Sequence, residues 1–311
     1  MILLVLFITG HLCSAETAIL ETSTGTLYGT LELPKGNGPF CAVLIISGSG
    51  PTDRDGNSTL FKGANNSLKL LAESLSEKGI ASLRYDKRGV GESAKAGLKE
   101  EELRFENYID DAVLWIKQLE KDKRLSSLII LGHSEGSLIG IVASTKVKPR
   151  GFVSIAGSGR SASTLLLNQL KTQLSPQLLR EAQGMIEKLQ DGKRADNIPA
   201  SLQIIFRPSV QPYLISWFRH DPIQEIKKLS IPILVIQGTT DIQVGIQDAK
   251  WLAEVNPSAK LKVIFGMNHI LKAVPLDQTK QLQSYSDPAL PIEPSLVDAI
   301  EHFTKDLPTN F

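Results

Sequence analysis

One stretch, Ser127 to Gly140, constrains what this chain can fold into more than any other. It reads S-L-I-I-L-G-H-S-E-G-S-L-I-G: a short apolar run, Leu128 to Leu131, then Gly132-His133-Ser134-Glu135-Gly136, then a helix-like pattern. A turn this tight between a strand and a helix needs glycine at its flanks. It leaves the serine hydroxyl exposed at the C-terminal edge of a sheet. The N–H groups opening the following helix then lie beneath a reacting carbon, where an oxyanion forms. The five letters alone are a weak signal; the strand before them and the helix after them make it specific.

The surrounding sequence repeats that rhythm. Thr17 to Leu33 alternates and is broken by Gly25 and Gly29, which predicts a hairpin at a sheet edge. Cys41 to Ile46, Ile80 to Tyr85 and Gly151 to Ala156 read as buried strands. Ser67 to Lys78 and Phe105 to Leu119 carry helical spacing between them. Strand alternating with helix predicts an α/β fold: a mostly parallel central sheet with helices on both faces. From Gly157 the rhythm breaks. Ser161 to about Arg219 shows only helical patterns, predicting an inserted helical cap over the edge that carries Ser134. Strands return at Ile233 to Ile236 and Leu261 to Phe265, with helices near Ile246 to Val255 and Pro294 to Asp306.

With 311 residues the chain can bury a large core. A net charge of +1 gives no reason to expect nucleic acid or an anionic membrane as partner, and two cysteines, Cys13 and Cys41, make no disulfide framework. Met1 to Ala15 stands apart. Ile2 to Ile8 is unbroken apolar sequence, too short for a spanning helix, and Cys13-Ser14-Ala15 supplies small residues of the kind that precede a signal-peptidase cut, although the start lacks Lys and Arg. The expectation is export, periplasmic or secreted, with cleavage after Ala15 and no stable membrane insertion afterwards. Cys41 would then remain as a lone buried thiol. Asn57-Ser58-Thr59 and Asn65-Asn66-Ser67 are glycosylation sequons, meaningful only in a eukaryotic secretory pathway.

A serine nucleophile needs a base, and the base needs an orienting acid, each delivered at the end of a strand in the chain order Ser, acid, His. Of five histidines, His11 falls in the leader, His133 is part of the turn and expected to point away from Ser134, His220 falls in the helical segment and His302 in the last helix. Only His269, in Phe265-Gly266-Met267-Asn268-His269, follows a late strand. For the acid, Ile233 to Gly238 leads into Thr239-Thr240-Asp241, which places Asp241 at the active edge; Asp248 reads as a solvated charge of the next helix, and Asp277 follows the histidine. The oxyanion donors expected are the N–H of Glu135 and one from Ser47-Gly48-Ser49-Gly50-Pro51, Ser49 before Gly50. Asp53-Arg54-Asp55-Gly56-Asn57 is not a calcium loop, since the sixth and twelfth positions are Ser58 and Ala64; it reads as an Asx-rich turn. Asp86, Lys87, Arg88 and Glu92 read as an ion-paired turn around the elbow. Tyr213, Trp217 and Phe218 either line an acyl pocket or pack the cap down.

The motifs G-H-S-E-G, R-Y-D-K-R-G-V-G-E-S (Arg84 to Ser93), Q-G-T-T-D (Gln237 to Asp241) and G-M-N-H (Gly266 to His269) resemble the α/β-hydrolase superfamily over nearly the whole chain after the leader. Within it, S-G-S-G-P-T-D-R-D-G-N is similar to bacterial capped carboxylesterases related to the serine aminopeptidase branch. The resemblance implies Ser134 as nucleophile, Asp241 as acid and His269 as base, with Ser47 where an H-G oxyanion motif usually has histidine. It implies no cofactor and no metal. The expected organisation is a leader at 1–15, core at 16–157, cap at 158–222 and core again at 223–311. The expected reaction is hydrolysis of short-chain carboxylic esters, small-molecule substrates, through an acyl-enzyme. An amide or N-terminal peptide bond is the runner-up, with Glu135 as a weak candidate for holding an amino group. An acyltransferase with the same triad, or a binding protein on a hydrolase scaffold, are the rivals.

Overall fold

The computed structural model describes residues 14–60 and 62–307. The apolar leader ahead of Ser14 lies outside the described residues. Among the described residues eight strands form one sheet: β1 (Ser14–Thr22), β2 (Gly25–Leu33), β3 (Phe40–Ile46), β4 (Ala81–Tyr85), β5 (Leu125–His133), β6 (Gly151–Ile155), β7 (Ile233–Gly238) and β8 (Ala259–Ile264). Their order is β1-β2-β4-β3-β5-β6-β7-β8. β1 and β2 are the expected edge hairpin, and β2 joins β4 antiparallel; every pair from β4 through β3 to β8 is parallel.

Parallel strands need crossovers that cover the sheet faces, and the residues allot themselves to those faces by strand alternation. On β3, Ala42, Leu44 and Ile46 face a cluster with α2 (Phe105–Leu119) and α3 (Glu135–Val147). Val43 and Ile45 face the opposite cluster, shared with α1 (Ser67–Glu77) and the last helix (Pro294–Asp306). α3 is buried over Glu135 to Ser144 without a polar stripe, as suits a helix enclosed on all sides.

Between β6 and β7 the chain leaves the sheet, as the loss of strand rhythm indicated. It forms α4 (Ala162–Lys171), α5 (Pro176–Gln190), α6 (Gln203–Phe206), α7 (Gln211–Phe218) and α8 (Pro222–Ile226). Serine caps open α4 and α5: Ser161 and Ser175 accept from the Thr164 and Leu178 amides. Leu170, Ile186, Leu189, Phe206, Leu214 and Ile226 are buried and continue the core cluster of α2 and α3. α9 (Ile246–Glu254) follows β7. α10 (Gln278–Ser284), a short helix that no strong periodicity announces, precedes α11 (Pro294–Asp306). Among the described residues no helix is long and apolar enough to cross a membrane.

Candidate active site

β5 ends at His133, α3 begins at Glu135, and Ser134 between them adopts φ 56° and ψ −121°, a conformation that L-residues rarely take and that tight functional turns impose. Both flanking glycines are explained by distance. A Cβ on Gly132 would lie 2.1 Å from the Gly136 carbonyl oxygen, and one on Gly136 would lie 2.3 Å from that of Ile46. The loop after β3 passes so close that a Cβ on Gly48 would sit 3.2 Å from that of Ser134.

β7 and β8 deliver the other two residues. His269 Nδ1 donates to Asp241 Oδ2 at 2.8 Å, and both side chains are buried. The remaining lone pairs of Asp241 are taken by the amides of Gln243 (2.7 Å) and Val244 (2.9 Å) and by Gln237 Nε2 (3.0 Å). Burial by itself raises the Asp241 carboxyl, but the His269 charge and hydrogen bond and those two amides together hold it below the ordinary carboxylate range. With Nδ1 protonated toward Asp241, a neutral His269 has its acceptor on Nε2. Ser134 and His269 line one cavity, and no direct hydrogen bond joins Ser134 Oγ to His269 Nε2. Such contacts often tighten only with substrate bound.

His133 does more than fill a turn position. Its Nε2 donates to the His269 carbonyl at 2.8 Å, and the two rings lie 5.0 Å apart, centroid to centroid. Burial, then the neighbouring His269, lower its pKa to about 4, so it is a neutral Nε2–H donor that anchors the backbone of its neighbour.

The loop after β3 brings Ser49 beside Ser134, where it borders the cavities on both sides of that serine, whereas Gly50 borders neither. Among the described residues the Ser49 N–H has no acceptor. The Glu135 N–H is one of the unpartnered donors that open any helix. The Glu135 carboxylate is not free to hold an amino group. Lys87 Nζ reaches its Oε2 at 2.9 Å, and the Tyr213 hydroxyl donates to its Oε1.

Two cavities flank Ser134. One, about 190 Å³, is walled by Leu138, Leu165, Leu166, Trp217 and Val244, with Arg160 at its edge. The other, about 240 Å³, holds His133 and His269 and is walled by Thr52, Leu60, Asn65 and Tyr285. Trp217 thus lines a cavity, while Tyr213 packs on Tyr108 and Phe105, so the aromatics of the helical segment divide between the two roles foreseen for them. Gln243, whose side-chain amide meets the Tyr285 hydroxyl at 2.6 Å, and Arg160 lie in the cavity walls without any spacing that could have announced them.

Two expectations need correction. Asp248 is not a solvated charge: it is 1% exposed and accepts from the Gly159 and Gly245 amides and, in a two-pronged pair, from Arg160. It sits in the first turn of α9, facing the chain that leaves β6, and sequence spacing does not show that approach. Cys41 is half-buried rather than enclosed. Asn65 is buried and its amide donates to the Gly56 carbonyl, so that sequon is closed to a glycan in the folded chain. The Asx turn is as read, with Asp53 Oδ1 accepting from the amides of Asp55 and Asn57 at 2.9 Å. The charged turn is ion-paired: Asp86 with Arg54, Arg88 with Asp111 and Lys87 with Glu135.

Solved structures share this architecture. Est1E from Butyrivibrio proteoclasticus, with ferulic acid bound, superposes with a TM-score of 0.63 at 18% identity, covering 93% of this chain and 98% of that one. A thermophilic esterase from Thermogutta terrifontis gives 0.56 at 17%, covering 94% and 99%. At such identities the likeness is one of fold. Esterase EstD of Thermotoga maritima is 32% identical over 269 residues, 84% of this chain; the chain spans 63% of that relative's length. The family model described as serine aminopeptidase, S33, matches residues 63–272, which include the elbow, Asp241 and His269. On that match, more than half its length, the chain belongs to the serine aminopeptidase S33 family of α/β hydrolases.

Proposed function

We propose that the protein is a serine carboxylesterase acting on short-chain esters through an acyl-enzyme on Ser134. The observation that carries this reading is the His269–Asp241 hydrogen bond at 2.8 Å on the wall of the cavity that also exposes Ser134. His269 Nε2 takes the Ser134 hydroxyl proton as Oγ attacks the ester carbonyl carbon. The oxyanion is held by the N–H groups of Ser49 and Glu135. Collapse breaks the bond to the alcohol, which leaves with the proton from His269. Water then repeats the sequence: His269 takes its proton, hydroxide attacks the acyl carbon, and the acid departs as Ser134 is reprotonated. Asp241 keeps the imidazole in its tautomer and stabilises its cationic form.

The leaving oxygen must receive its proton from His269, so the alcohol belongs in the cavity that contains His269 and the acyl group in the one without it. The acyl cavity is apolar, and about 190 Å³ is below the size of a typical drug-sized ligand pocket, in keeping with a short chain. The helices between β6 and β7 act as its cap. An aminopeptidase would need a free carboxylate for the substrate's amino group. Among the described residues lining the two cavities the only carboxylate is Glu135, and it is already paired. This favours the ester over the amide.

The test is labelling by a fluorophosphonate probe, wild type beside Ser134→Ala, with p-nitrophenyl acetate and octanoate turnover in parallel. Labelling and acetate turnover that vanish in the variant support the reading. A folded wild type that does neither removes it and leaves a binding protein on a hydrolase scaffold. The apolar leader Ile2 to Ile8 with Ser14-Ala15 supports export to the periplasm or medium, and Glu16 at the N-terminus of protein recovered outside the cytoplasm is the result that would establish it.

A further inference from the structure

Lys87 is 1% exposed, deep beneath the elbow, and no step of the mechanism uses it. A buried ammonium is costly unless its hydrogen bonds are met, and a buried ion pair is weak evidence for stability, because apolar side chains can often replace it without loss. What this one touches is specific. Nζ donates to the Gly48 carbonyl at 2.5 Å and to Glu135 Oε2 at 2.9 Å, and it lies 5.0 Å from the centre of the Tyr108 ring.

The Gly48 carbonyl and the Ser49 N–H belong to one peptide unit. In a trans peptide these two groups point in opposite directions, so a cation holding the carbonyl fixes where the N–H points. It also polarises the unit, making the N–H a stronger donor. At its other contact Lys87 holds the side chain of Glu135, whose own N–H is the second donor proposed. A single ammonium therefore ties together the two segments, from β3 and from α3, on which an oxyanion would rest. The Tyr213 hydroxyl donates to the other oxygen of Glu135 and extends the tie to α7, in the segment that walls the acyl cavity.

We propose that Lys87 is a positioning residue for the oxyanion hole, acting through Glu135 and the Gly48–Ser49 peptide, and that Tyr213 couples the helical cap to it. This rests on the esterase reading above. Lys87 touches no substrate; its effect belongs to the transition state, where charge on the oxygen is greatest. Loss of the tie therefore lowers kcat while KM changes little.

The experiment uses the full-length enzyme with p-nitrophenyl acetate and a trifluoromethyl ketone, whose adduct with serine mimics the tetrahedral intermediate. Three variants are compared: Lys87→Met, the charge-neutral double variant Lys87→Met with Glu135→Gln, and Tyr213→Phe. The double variant leaves no unpaired buried charge and so protects the test against a single variant that does not fold. The expected result for the double variant is a kcat lower by about 100-fold, the scale of losing one oxyanion donor, with KM within about 3-fold. The ketone should weaken by a similar factor, while thermal unfolding stays cooperative. Tyr213→Phe is expected to lose about 10-fold in the same pattern. A folded double variant whose kcat and ketone affinity match wild type, or one whose loss falls on KM with ketone affinity unchanged, overturns the proposal. A wild type that neither turns over ester nor binds the ketone overturns the esterase reading and this proposal with it.

Discussion

At the scale of single residues the site is held by groups that bond to one another before any substrate arrives. Asp241 has four hydrogen-bond donors, and His269 is fixed at its ring by Asp241 and at its carbonyl by His133. His133 carries a measurable consequence. Its ordinary pKa is 6.5 and burial lowers it to about 4 in the folded chain. As pH falls, the unfolded chain takes up its proton first, so wild-type stability declines from about pH 6.5 down to about pH 4. His133→Gln has no such proton to take up. The gap in unfolding free energy between the two proteins, followed by urea titration at pH 7, 6, 5 and 4, should narrow or reverse by up to about 3 kcal/mol. A gap that stays constant over that range would mean that His133 is not the neutral donor described.

At the scale of elements, much was legible because the central strands β3 to β7 are short buried runs and the longer helices carry apolar residues at helical spacing. The hairpin, the parallel strands and the last helix follow from that pattern, as do the loops that carry Ser134, Asp241 and His269. What stayed hidden depends on which element approaches which. Asp248 looks like any helix-surface acid until α9 is packed against the chain leaving β6, where it gathers amides and Arg160. Gln237 reads as a strand residue, yet its amide spans Asp241 and the Val244 carbonyl. No spacing encodes these, since each partner arrives from a distant part of the chain or by a turn of the backbone. Because Asp248 satisfies buried amides, Asp248→Ala is expected to cost about 2–3 kcal/mol in urea unfolding. A loss under 0.5 kcal/mol would return it to the surface charge that its sequence suggests.

At the scale of the molecule, the helical segment between β6 and β7 lines the cavity on one side of Ser134 and not the one on the other, so the two sides differ. This asymmetry can be tested by filling one side only. Leu166→Trp, in the apolar cavity under α4, should lower octanoate turnover about 10-fold relative to acetate while leaving the choice among alcohols unchanged. Leu60→Trp, across the serine, should do the reverse with a series of acetate esters of different alcohols. Equal effects of both variants on both series would remove the assignment of sides.

The strand order has a consequence for how such a chain comes into being. Its neighbours in space are far apart in synthesis: β3 lies between β4 and β5, and β7 and β8 complete the sheet after a long helical interval. A ribosome that has made everything up to β6 has already made the elbow serine but neither Asp241 nor His269. If Ser134 acts with those two residues, the emerging chain stays chemically silent until the segment after β8 is added, and contacts between such distant segments form slowly. On the reading proposed here, activity would wait for a molecule whose sheet is complete.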